Sequence, residues 1–384
     1  GSLQQELDSF FSLFDKAGSQ VQVVTKSAFS QARLKLSYTV FQELNQLIVS
    51  YYYQHVDYRQ WHGYRVCAVD GCKLRLLDKA VLAEVFGAHR GRNTKKGFPM
   101  ALVSVYYDVL NKLVIDSSLN PAQASEREAA GCHLAHAGEH DLILFDRGYP
   151  AFWLFCELLH RRLAFCMRAK TGLEKIYGEF SASGESERLV EIHPNKRSIR
   201  QCRQKGLPYK PIRLRLIRVE LATEVEVLVT NLLDSRTFPA GEFKALYQMR
   251  WDVEENYKRQ KMWAEIDNFS GKSVRAIRQD FFAKVMSLNL TMMFAQTAQD
   301  EVAKKTASCK RTYQVNFAQT LSKMKHSVVQ LIFEVDRPRL EALIDRLLKY
   351  IARTIEMVRK QRKFPRKVSQ KQLRLHRQAY KRCL

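Results

Sequence analysis

Three carboxylates are the residues of this chain best suited to do chemistry. Asp70 ends a short apolar run that starts at Tyr64, and Asp146 ends a second run that starts at Leu142. Ligands gather at the C-terminal ends of buried strands in α/β sheets. A strand-end Asp also serves as a turn or cap residue, so neither is diagnostic alone. The third acid is Glu254, in the segment from Tyr247 to Lys261. On a helix, Tyr247, Arg250, Glu254, Lys258 and Lys261 step by three or four and share one face, an acid flanked by bases. The plain alternative is an exposed helix laced with i,i+4 ion pairs. Three acids separated by 76 and 108 residues suit a site for two Mg²⁺ ions. Such ions take hard oxygen donors and drive phosphoryl transfer when held about 3.5–4 Å apart. Arg250, Lys258 and Lys261 would then hold phosphates.

The elements that must position these acids are legible in outline. Residues 3–60 read as helical, with a capped short helix over Thr25–Leu36 and another over Tyr38–Tyr53; such a pair is compatible with a helix-turn-helix that reads DNA. From Tyr64 the pattern predicts a strand to Asp70, a turn near Gly71 and a hairpin partner from Lys73 to Leu77. A strand pair follows at Met100–Val109 and Lys112–Leu119, then a helix over Ala122–Ala137, a strand over Leu142–Asp146, a helix over Ala151–His160 and a strand over Leu163–Met167. This alternation is α/β. Residues 170–236 break it with a Gly/Ser-rich stretch, a basic stretch (Lys196–Lys205) and the β-alternating segments Ile212–Glu220 and Val225–Thr230, read as an inserted, mostly β subdomain. After Pro239 helices are expected near 240–265, 272–298, 315–332 and 337–360.

Asp70-Gly71, the block Asp146-Arg147-Gly148-Tyr149, and the spacing Tyr247-x2-Arg250-x3-Glu254-x6-Lys261 together resemble the motifs of bacterial insertion-sequence DDE transposases of family four. The resemblance spans about 200 residues. It implies an RNase H-like catalytic core interrupted by a β insertion, with helical N-terminal and C-terminal regions. The expected boundaries are 1–62 for a helical DNA-binding region, 63–169 and 239–300 for the two parts of the core, 170–238 for the insertion, and 301–384 for the C-terminal helices and basic tail. It also implies that Asp70, Asp146 and Glu254 ligate two divalent cations, Mg²⁺ with Mn²⁺ as a substitute. Tyr247, Arg250, Lys258 and Lys261 would contact DNA phosphates, and Arg147 and Tyr149 would position DNA or brace the site. The implied activity is strand cleavage at transposon ends and joining of 3′-hydroxyl ends to target DNA, through a hairpin in some members, by a dimer bridging two ends. Trp251 reads as core packing. The insertion in this family can carry an aromatic that stacks a flipped base, and neither Trp153 nor Tyr177 can be assigned that role.

Composition agrees with a polyanionic partner. The 384 residues carry 63 Lys and Arg against 39 Asp and Glu, a net charge of +24. Residues 359–384 hold eleven of those bases and no acid, which leaves +13 on the rest. A distributed excess of this kind favours DNA, whose binding is driven by counterion release. The apolar share of 46% is enough for a large core, and no apolar run reaches the ~18 residues of a membrane span. The N-terminus lacks the basic flank and apolar run of a signal peptide. The eight cysteines include no CxxC pair and read as reduced core residues of a cytoplasmic, nucleoid-associated protein. Cys132, His133, His136 and His140 could suit zinc; Gly138 argues that the helix stops before His140, and a structural role is favoured. Two other functions stay open: a non-catalytic DNA-binding regulator derived from a transposase, and an RNase H-like nuclease, which would not require Tyr247, Arg250 and Lys261 together.

Overall fold

The computed structural model describes residues 3–15, 24–89, 97–172, 174–221, 224–262 and 264–358. In chain order the elements begin with helices α1 (Leu3–Asp15), α2 (Lys26–Lys35) and α3 (Thr39–His55), then strand β1 (Arg65–Arg75), α4 (Ala80–Phe86), the two-residue β2 (Ala88–His89), β3 (Phe98–Asp108) and β4 (Leu113–Pro121). Next come α5 (Glu126–His133), β5 (Asp141–Phe145), α6 (Phe152–His160), β6 (Ala164–Arg168), α7 (Lys175–Ser183), β7 (Glu187–Ile192), α8 (Lys196–Gln204), β8 (Ile212–Glu220) and β9 (Val225–Thr230). The chain continues through α9 (Phe243–Gln248), α10 (Trp251–Met262), α11 (Val274–Lys305), β10 (Tyr313–Val315), α12 (Phe317–Phe333), α13 (Arg337–Ala352) and β11 (Ile355–Met357). No helix among the described residues is long and apolar enough to cross a membrane. The basic tail lies outside the described residues.

Packing divides the chain into two units, one running from Gln46 to Arg259 and the other joining the residues on either side of it. The first unit holds a sheet in the order β2-β3-β1-β5-β6-β9-β8-β7, with β4 also paired to β3. β4, β3 and β1 are an antiparallel meander, and β5 and β6 run parallel to β1. Three antiparallel strands followed by two parallel ones reached through helices are the RNase H-like core. The insertion brings β7, β8 and β9, and the short helices α7 and α8 with them. Its strands are not a separate body: β9 pairs with β6, and Leu214, Leu216, Val227 and Val229 share one apolar core with Cys67, Val69, Ile143, Phe145, Phe165 and the α6 residues Trp153, Leu154 and Phe155.

One expectation fails at Gly71. No hairpin turns there, because β1 runs unbroken from Arg65 to Arg75 and pairs with β3 along its length. The glycine is not among those with positive φ. It serves instead a close approach: a Cβ at Gly71 would lie 3.0 Å from Cδ of Glu126 on α5. A sequence reading takes glycine after a strand-like run as a turn, and here it is a bare patch of strand.

The register between β1 and β5 is clamped by charge. Arg65 and Asp141 are direct partners in the parallel ladder. The Arg65 guanidinium donates twice to the Asp141 carboxylate, Nε and Nη2 each at 2.7 Å. The same carboxylate accepts from the Tyr106 hydroxyl at 2.5 Å and the Gly138 N–H at 2.9 Å. Asp141 is 2% exposed, so its charge is held by four donors and little water.

In the second unit α11, α12 and α13 pack together beside the small β10–β11 ribbon. The expected N-cap of α2 is present, with Thr25 Oγ1 accepting from the Ala28 N–H. Arg33 of α2 binds Asp280 and Gln279 of α11 at 2.6 and 2.7 Å, so this base is committed to packing. Replacing Asp141 with alanine strands Arg65 as an uncompensated buried cation, a loss of about 3–5 kcal/mol. Denaturant unfolding of Asp141→Ala should show that loss, and a change under about 1 kcal/mol would refute the clamp.

Candidate active site

The clamp has a direct consequence five residues further on. The paired positions run from Arg65↔Asp141 to Ala68↔Leu144; two residues past the last pair, at the same offset, stand Asp70 and Asp146, near enough for the Asp146 charge to act on the Asp70 carboxyl. Asp146 lies immediately after β5. Its Oδ1 accepts from the Gly148 N–H at 2.7 Å. A Cβ at residue 148 would lie 2.9 Å from that oxygen, so a side chain here would press on the Asp146 carboxylate. Arg127 Nε donates to the Gly148 carbonyl at 2.8 Å and fixes the loop from α5. Arg147 is exposed. Tyr149 is 1% exposed; its ring packs on Phe145, and its buried hydroxyl has no hydrogen-bond partner.

Glu254 reaches the strands by a different route from the one expected. The segment from Tyr247 to Lys261 is not one continuous α-helix. Between α9 and α10 the backbone tightens to i→i−3 bonds, Arg250 N–H to the Tyr247 carbonyl and Val253 N–H to the Arg250 carbonyl, each at 3.1 Å. Two tyrosines dock the segment on the strands. The Tyr247 hydroxyl donates to the Phe145 carbonyl at 3.2 Å, and the Tyr257 hydroxyl to the Asp70 carbonyl at 2.8 Å. Each bond lands at or beside a strand aspartate. Arg250 is 7% exposed, its Nη2 is 3.4 Å from Glu254 Oε1, and its Nε is buried without a hydrogen-bond partner.

Trp251 is a correction. It is 46% exposed rather than packed in the core, because it shares the outer face of α10 with Glu255, one turn on, while Val253, Asn256 and Tyr257 turn inward. The Arg250 guanidinium lies 5.1 Å from its ring centre. Lys261 falls in the last turn of α10 and is partly exposed; the Lys258 side chain lies outside those described. Of the four zinc candidates, His133 is buried and bonds Asp116 at 2.6 Å and Ser104 at 2.9 Å. Of the cysteines, Cys67, Cys156, Cys166 and Cys202 are buried, whereas Cys132 and Cys309 are exposed and are not core residues. Sequence reasoning missed Tyr257, Arg127 and Glu126. Only Tyr257 left a signal, an aromatic three residues after Glu254 on a strongly polar helix.

Burial pushes the Asp70 carboxyl up to about 7, and the charges of Asp146 and Glu254 act the same way, against the pull of Arg250 and the Gly71 N–H. Tyr149 and Tyr257 are also raised, first by burial and then by Asp70. The donor set fits a hard divalent cation: carboxylate oxygens in one another's field, with a buried Tyr149 hydroxyl still to be satisfied. Among the described residues no three such groups yet converge at ligand distances; Glu254 is turned onto Arg250 and Asp146 onto the Gly148 N–H. Cation binding would have to draw them from these partners. A raised carboxyl binds its proton more tightly folded than unfolded, so it costs stability as pH rises from about 4 to about 7. In metal-free buffer the melting temperature of Asp70→Asn should therefore gain on the wild type across that window. A constant difference would show that Asp70 titrates normally.

The transposase DDE domain family matches residues 61–290, more than half of the chain. Transposase InsG for insertion sequence element IS4, from Escherichia coli K12, is 23% identical over 273 residues, covering 70% of this chain and 60% of that protein. A putative transposase, y4zB, from Sinorhizobium fredii is 24% identical over 229 residues, covering 58% and 61%. The matched region thus spans about three fifths of each relative. The cryo-EM structure of the piggyBac transposase synaptic complex with hairpin DNA aligns with a TM-score of 0.41 at 9% identity, over 80% of this chain and 60% of that one. The chain belongs to the DDE transposases of the IS4 insertion-sequence family.

Proposed function

We propose that this chain cleaves DNA strands at the ends of an insertion sequence and joins the freed 3′-hydroxyls to target DNA, with Asp70, Asp146 and Glu254 as the ligands of two divalent cations. The observation that carries the reading is the electrostatic coupling of Asp70 with Asp146 and Glu254, where the Glu254 helix bonds the Asp70 carbonyl through Tyr257 and the preceding helix bonds the Phe145 carbonyl through Tyr247. Bound there, Mg²⁺ or Mn²⁺ would lower the pKa of an attacking water or 3′-hydroxyl and neutralise the leaving oxygen. In-line hydrolysis forms a bond from the water oxygen to phosphorus and breaks the P–O3′ bond, leaving a 3′-hydroxyl and a 5′-phosphate. That 3′-hydroxyl then attacks a second phosphodiester, of the opposite strand if a hairpin is made and of the target in the last step.

The protein's own share is positioning and charge. Tyr247 and Tyr257 hold the Glu254 helix against β5 and β1, so Tyr247 acts on the site through the Phe145 carbonyl. Arg250, already inside the carboxylate group, offsets their repulsion and offers its unpaired Nε to a phosphate oxygen. Arg147, Lys258 and Lys261 track the phosphates flanking the scissile bond, and Tyr149 braces the loop behind Asp146. The helices α2 and α3 with the basic C-terminal segment supply further DNA contacts, two chains bridge the two ends, and the protein acts on the nucleoid.

Two outcomes test this. With DNA carrying the element's terminal repeats and Mg²⁺ or Mn²⁺, Asp146→Asn and Glu254→Gln should lose more than about a hundredfold in strand cleavage, since even outer-shell changes at metal sites cost about 10–100-fold. DNA binding should persist in both. A variant that still cleaves removes that residue from the site. Lys261→Ala should weaken binding across sequences and lower the salt slope by about 1; an unchanged slope would exclude a phosphate contact.

A further inference from the structure

We propose that Glu126 is a fourth carboxylate of the cation site, ligating one of the divalent ions held by Asp70, Asp146 and Glu254; the proposal rests on the metal-dependent reading above. Glu126 is the first residue of α5, just after the N-cap Ser125, whose hydroxyl accepts from the Glu128 N–H. The cap is thus made without it. Its side chain runs over Gly71, the residue after Asp70. A Cβ there would lie 3.0 Å from Glu126 Cδ and Cγ and 3.1 Å from Oε1, so a side chain at 71 would push on this carboxylate. The bare strand at Gly71 thus gives an acid of α5 room beside the residue that follows Asp70.

The Tyr149 hydroxyl supplies an independent indication. It is buried, 1% exposed, without a hydrogen-bond partner. Asp70, Glu126 and Asp146 all act on it, and Asp70 and Glu126 both act on the neighbouring Tyr257. A buried hydroxyl without a hydrogen-bond partner, in the field of these three acids, is a polar atom left to be satisfied. The two acids at the start of α5 differ in kind. Glu128 is paired with Lys205 at 2.5 Å, whereas among the described residues no cation pairs with Glu126. A fourth carboxylate also answers the +4 charge of two divalent ions, and ligand charge is a main determinant of affinity at oxygen sites.

The test uses the full chain without DNA, titrated with Mn²⁺ by calorimetry, so the readout is independent of strand cleavage. Glu126→Gln should bind Mn²⁺ at least about tenfold more weakly than wild type, and should melt no lower in metal-free buffer. Glu128→Gln, the same charge change two residues away, should bind as wild type does. Glu126→Asp keeps the charge and shortens the reach; it too should bind more weakly while melting as wild type does, and it decides the matter if Glu126→Gln fails to fold. Wild-type affinity in either Glu126 variant, beside weakened binding in Asp146→Asn, overturns the role of Glu126 and leaves the site standing. Equal weakening in Glu128→Gln also overturns it. Unaltered affinity in Asp146→Asn overturns the metal-site reading itself.

Discussion

The parallel pairing of β1 with β5 is the constraint on which the site depends. A parallel ladder has no tight turn to fix its register, and a slip of one residue would send one of the two aspartates to the opposite face of the sheet. Arg65 and Asp141 prevent that slip with a bidentate contact across the ladder, reinforced by Tyr106 and Gly138. What is set there is read out at Asp70 and Asp146. Burial first, and the neighbouring carboxylates after it, hold the Asp70 carboxyl above its ordinary range.

The third acid is held by a different principle. Glu254 comes from a helix, and helices slide unless docked. The two tyrosine hydroxyls bond main-chain carbonyls of the strands rather than side chains, so the helix is referenced to backbone atoms that cannot rotate away. Arg250 sits between as counter-charge, and the short i→i−3 stretch before α10 gives the bend that aims it. The frame is thus tied to backbone atoms, while the carboxylates of Glu254 and Asp146 rest on single partners, Arg250 and the Gly148 N–H.

Much of this was legible in the sequence because the chemistry leaves period and spacing behind. The strand around Leu142–Phe145, the strand pair around Asn111 and the helices after Pro239 followed from local pattern, whereas Asp70, read as a strand end, lies inside β1, which runs on to Arg75. What stayed hidden were contacts made between distant segments. Nothing near Arg65 announces Asp141 as its partner, and nothing at Glu126 announces Gly71. Gly71 itself misled, since a glycine used for close approach and one used for a turn look alike in one dimension. Trp251 misled for a related reason: an aromatic beside a buried Arg invites a core reading, and only the helical phase set by the bend before α10 turns it outward.

The insertion leaves and rejoins the core at nearly the same place. β6, where it departs, pairs directly with β9, where it returns, and the Ala169 N–H bonds the Val227 carbonyl at 2.8 Å. The distance the chain must cover from Asp146 to Glu254 is therefore independent of how many residues the excursion contains. Lengthening or trimming its outer loops leaves the three acids where they are. The excursion can therefore change its outer surface without disturbing the strands it leaves and rejoins.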